Sequence, residues 1–138
     1  MTVAASVYTP SDRADRVGRG LAVFASLATV GAFAGGIIAM TTAGDDRLWV
    51  EGWRTFTYLV FAGLFALLAV RPRQVPDVWE LVLAGKSALV VFAVIVGDIP
   101  EAQQAGIVDF GLVVVVALAY VLCRGWQAWR PVTTNPTR

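Results

Sequence analysis

The stretch that decides the fold runs from Val78 to Asp98, VWELVLAGKSALVVFAVIVGD. As a helix it is long enough to cross a hydrocarbon core of about 30 Å, which takes roughly 20 apolar residues. Inside it stands Lys86, the only lysine of the chain; all the other basic residues are arginines. An ammonium in such a segment is expensive, and groups of this kind face a bundle interior and mark functional positions. The rest of the chain reads as the bundle that houses this position.

Working outward, three more apolar blocks have the same length, so helices are expected over about 20–43, 48–70, 78–98 and 105–124. Composition agrees: 57% of the 138 residues are hydrophobic and 15% charged, whereas a soluble domain is near half apolar and a quarter charged. The fold class predicted is all-α: a four-helix transmembrane bundle, antiparallel up-down, one integral membrane domain over 1–138 with flexible tails at 1–17 and 130–138. From Gly20 to Gly44 there is no charge. That block exceeds the ~7–15 residues of a signal-peptide core and has no convincing A-x-A cleavage site, so it reads as an uncleaved first span. Prolines in Arg71-Pro-Arg-Gln-Val-Pro76 stop the second helix, and Asp77 reads as the N-cap of the third. Trp49, Trp53, Trp79, Trp126 and Trp129 fall at span ends, where aromatic side chains anchor to the interface.

Charge distribution sets the orientation. Arg13, Arg16, Arg19, Arg71, Arg73, Arg124, Arg130 and Arg138 all fall on one side of a four-span arrangement. The opposite loops hold Asp45, Asp46, Asp98 and Glu101 against Arg47 alone. The positive-inside rule then places both termini in the cytoplasm, as expected of a multi-pass protein in a cell membrane of the bacterial inner-membrane type.

Several chemistries are excluded. There is one cysteine, Cys123, and no histidine, so Ser-His-Asp and Cys-His catalysis are out, and no metal or other cofactor is expected. Net charge is +1, which gives no reason to expect a nucleic-acid partner. Gly85-Lys86-Ser87 is not a phosphate loop, because Glu80 stands where the motif needs its first glycine.

The ionisable residues within the spans make the candidate site. At ~1.5 Å of rise per residue, Lys86 lies about 10 Å in from the cytoplasmic interface, Arg54 about 9 Å and Asp109 about 6 Å in from the outer one. Glu51 lies at the outer boundary, three residues from Arg54 and on the same face. Arg54, Glu51 and Asp109 thus share a layer. In one reading Arg54 pairs with Asp109 as a clamp between helices 2 and 4. In the other, Asp109 or Glu51 is a general acid or proton carrier and Arg54 orients a polar head. Lys86 either snorkels to the headgroups or points inward toward Ser87, Tyr58 or Tyr120, where a desolvated lysine serves as base or nucleophile. Imine chemistry of the retinal type needs a counter-ion at the same depth, and this arithmetic finds none. Asp109, Glu51 and Lys86 are the catalytic candidates; Arg54, Tyr58 and Tyr120 the substrate-binding ones. Phe24, Phe33, Phe56, Phe61, Phe65 and Phe92 read as lipid-facing or packing residues.

Helix 1 carries Gly31-x-x-x-Gly35, with Ala28, Ala32 and Gly36 as a second small row. Such rows let helices approach closely, either within the bundle or as a homodimer seam. In size and hydropathy the chain is similar to small four-span families, including the small multidrug-resistance transporters and the DoxX-like proteins. The multidrug transporters carry an essential glutamate in their first helix; here that helix has no charge, so their mechanism is not carried over. Three functions are expected to compete. The first is an intramembrane site in the lipid bilayer that binds or processes a lipophilic small molecule, by isomerisation, cyclisation or epoxide opening. The second is an oligomeric ion- or proton-coupled transporter or channel, and the third an accessory subunit of a larger membrane complex.

Overall fold

A computed structural model of the chain describes residues 10–130. Among these there are four long helices: α1 Asp12–Thr42, α2 Asp45–Val70, α3 Val78–Val96 and α4 Pro100–Cys123, followed by a 3-10 turn, Gly125–Trp129. All four are long and apolar enough to cross a membrane. Of the tails expected at 1–17 and 130–138, residues 1–9 and 131–138, with Arg138, lie outside the described residues, and residues 12–17 belong to α1.

Two helix starts differ most from the sequence reading. The first helix begins at Asp12, not near residue 20, because the Ser11 hydroxyl accepts from the Ala14 amide at 3.2 Å. Asp12 and Asp15 in the first turn complement the positive end of the helix dipole. The fourth helix begins at Pro100, not Ala105, since proline at the first helical position surrenders only an amide that would be unpaired anyway. Asp77 does precede α3, but in left-handed backbone (φ 70°) and without a side-chain cap bond, so its capping role is not realised. Gly97, at φ 69°, ends α3 in a conformation that side chains disfavour.

Short turns reverse the chain between helices. α1 packs on α2 and α4, α3 leans on α4, and α2 and α3 stand farther apart, meeting through long side chains. Packing is uneven along the bundle. The core of Ala25, Phe65, Leu68, Trp79, Val82, Val116, Ala119 and Cys123 lies toward the end that holds Asp12 and the α2–α3 connection, here the basal end. At that end α1 approaches α4 closely: a Cβ on Gly18 would stand 2.6 Å from Cys123 Sγ and 3.1 Å from the Ala119 carbonyl. Arginines tie the same end together. Arg19 donates to the Ala69 and Val70 carbonyls at 2.9 and 3.0 Å, and Arg73 to that of Cys123 at 3.0 Å. Both guanidiniums also pair with Asp15. Cations on the last carbonyls of α2 and α4 oppose the negative ends of those helices. The distal end, with the α1–α2 and α3–α4 turns, is looser, and its buried side chains are polar: Thr29, Glu51, Thr55. Gly36 meets the Thr55 side chain there, whereas Gly31 and Gly35 have nothing within reach of an added Cβ. The GxxxG row therefore faces away from the bundle.

Candidate functional site

α3 presents Lys86 to the interior at its midpoint, and α4 answers with Asp109. The Lys86 ammonium donates to Asp109 Oδ1 at 2.7 Å, with side chains 5% and 13% exposed. Counted from the shared α3–α4 turn, Lys86 is about 15 Å from Val96 and Asp109 about 13.5 Å from Pro100. The two meet because they lie at one level. Phe61 of α2 closes the other side, its ring centroid 4.3 Å from Lys86 Nζ. A cation over an aromatic face gains about 0.5–2 kcal/mol, more as the pair is withdrawn from solvent.

Arg54 does not pair with Asp109. It turns distally, donating to Glu51 on its own helix and to Glu101 of α4 at 2.5 Å. Arg47 joins the same two carboxylates, at 3.3 and 3.0 Å. Glu51 is the buried member of this network and Glu101 the half-exposed one. Lys86 therefore points inward rather than snorkelling, and the counter-ion absent from the depth arithmetic is Asp109. Tyr120 is far from this group: its hydroxyl donates to Glu80 at 2.8 Å, and its ring packs between Trp79 and Trp126 at the basal end. Trp129 shares Glu80. Tyr120 therefore stands with the basal scaffold, apart from the other candidates.

Between the two layers of charge lies a cavity of about 320 Å³. Arg54 and Tyr58 line it from α2, Lys86 from α3, Ala28, Thr29 and Ala32 from α1, and Glu101, Gln104, Ala105, Val108, Asp109 and Leu112 from α4. The volume is at the lower end of small-molecule sites. The α4 contribution follows a single helical stripe, spaced i, i+3, i+4, i+7, i+8 and i+11. Ala28, Ala32, Ala105 and Val108 are all exposed, so the cavity opens sideways between the distal halves of α1 and α4. Small side chains on both lips keep that opening clear. The floor is ionic, the lips apolar, and the rim again ionic. Arg47, Arg54 and Lys86 balance Glu51, Glu101 and Asp109, which makes the cluster formally neutral.

Such an arrangement offers a proton donor and acceptor in contact (Lys86 and Asp109), a phenol beside them, and apolar walls. Among the described residues no group of side chains is arranged to hold a metal ion. Glu101, Phe61 and Thr29 are the site residues that the sequence reading missed. For Glu101 a signal existed: with Pro100 as the first helical residue, Glu101, Gln104 and Asp109 fall on one face.

Four helices long and apolar enough to cross a membrane surround the lined cavity, an arrangement compatible with a small multi-pass membrane protein. Comparison with protein-family models, with curated proteins and with solved structures finds no match.

Proposed function

We propose that this protein binds a small lipophilic molecule in the distal cavity and acts on its polar end with acid/base groups. Both termini lie in the cytoplasm on this reading, so the cavity faces the outer leaflet and is loaded from lipid between α1 and α4. One observation carries the reading: a mid-helix ion pair, Lys86–Asp109, forms the floor of a cavity whose lips are small apolar side chains. Ionisable groups held at such depth are characteristic of functional sites. Arg54 and Tyr58 stand where they can orient a carbonyl, hydroxyl or epoxide oxygen. Arg54 Nε is buried without an acceptor among the described residues, which leaves a donor for a ligand. The neutral sum of the cluster suits an uncharged polar group better than a formal anion.

Native mass spectrometry of the purified protein tests this directly. A monomer carrying a co-purified small hydrophobic molecule is the expected result. A ligand-free dimer that takes up no added lipophile would overturn the proposal in favour of an oligomeric transporter with its seam on Gly31 and Gly35.

A further inference from the structure

Lys86 is a primary amine buried beside a carboxylate, a ring and a cavity, and that combination has a specific chemistry. We propose that Lys86 condenses with an apolar aldehyde to form a protonated imine whose counter-ion is Asp109. The inference rests on the lipophile-binding reading above and names the class of ligand for that site.

Three features of the geometry support it. Imine formation needs an unprotonated amine, and Asp109 Oδ1, 2.7 Å from Nζ, is placed to take the proton. The iminium that results keeps one positive charge on nitrogen, so the charge balance of the buried pair is the same before and after reaction. Phe61, 4.3 Å from Nζ, presents a ring face to that cation in either state. The cavity beside Nζ is walled by Ala28, Ala32, Val108 and Leu112, suited to the hydrocarbon part of the aldehyde. Loading from lipid through the α1–α4 opening suits a carbonyl compound with little solubility in water.

The step balances without an added oxidant or reductant. Lys86 gives a proton to Asp109, and its nitrogen forms a bond to the carbonyl carbon. The nitrogen then passes a proton to the carbonyl oxygen, giving a carbinolamine. Asp109 returns its proton to the hydroxyl, which leaves as water while the carbon–nitrogen double bond forms. The net change is ammonium plus aldehyde to iminium plus water.

Because Lys86 is the only lysine, reductive trapping is clean. The purified full-length protein is incubated with n-decanal and cyanoborohydride, digested and mapped by mass spectrometry. Binding of n-decanal and of n-decanol, which cannot form an imine, is measured in parallel by native mass spectrometry. The expected result is a reduced adduct on the peptide that carries Lys86. It should fall at least about ten-fold in Lys86→Arg, which keeps the charge but is not an imine-forming amine, and form more slowly in Asp109→Asn. Binding of both compounds with no adduct, or an adduct confined to the α-amino group, would overturn the imine while leaving the binding site in place. Failure of both compounds to bind would overturn the imine and the binding reading together.

Discussion

An ammonium and a carboxylate placed side by side in a bundle interior attract one another strongly, yet each has given up hydration worth several kcal/mol. Lys86 and Asp109 therefore depend on each other more than they stabilise the protein together. The rim network differs, because its members range from buried to half-exposed. Glu51 accepts from Arg47 and Arg54 with its carboxylate almost fully covered, whereas Glu101 is about half exposed and screened. Glu51→Gln is expected to destabilise the protein by about 1–3 kcal/mol, the range for a buried charge-assisted hydrogen bond. Glu101→Gln is expected to lose under about 1 kcal/mol, as exposed pairs do. Thermal unfolding of the two variants in detergent checks the order; equal losses would mean that Glu51 is as hydrated as Glu101.

At the scale of the helices, glycines separate tight contacts from open faces. Gly18→Leu must displace Cys123 and Ala119 backbone or side-chain atoms, and overpacking of this kind costs about 1–3 kcal/mol. Gly31→Leu builds out from an exposed position where an added Cβ meets nothing within 4 Å and should leave melting unchanged. Should Gly31→Leu instead shift a dimer to monomer in native mass spectrometry, the exposed row is a seam between copies. The helices themselves were legible in the sequence, because apolar blocks of spanning length with few charges admit few other structures in lipid. What was not legible was the start of α4. Placing it at Ala105 rather than Pro100 moved Asp109 by about 7.5 Å toward the surface, which assigned it to Arg54 and left Lys86 without a partner. Phe61 was hidden for another reason: a phenylalanine in an apolar span looks the same whether it meets lipid or an ammonium.

Over the whole molecule, one end is packed and tied and the other is open. Tryptophan, leucine and phenylalanine fill the basal half, and arginines bind its helix ends. The distal half substitutes polar side chains and a cavity. Seven of the arginines from Arg13 to Arg130 belong to the basal end, so reporter fusions to the C terminus should read out as cytoplasmic; a readout on the opposite side would invert the bundle and turn the cavity toward the inner leaflet. All of these inferences depend on Lys86 and Asp109 being partners at the floor of that cavity. A double-mutant cycle of Lys86→Met and Asp109→Leu, read by thermal unfolding, tests the partnership most directly. Each single substitution should cost about 3–5 kcal/mol by stranding a buried charge, and the double variant should recover most of the loss. Losses that simply add, to within about 0.5 kcal/mol, would show that the two side chains never meet.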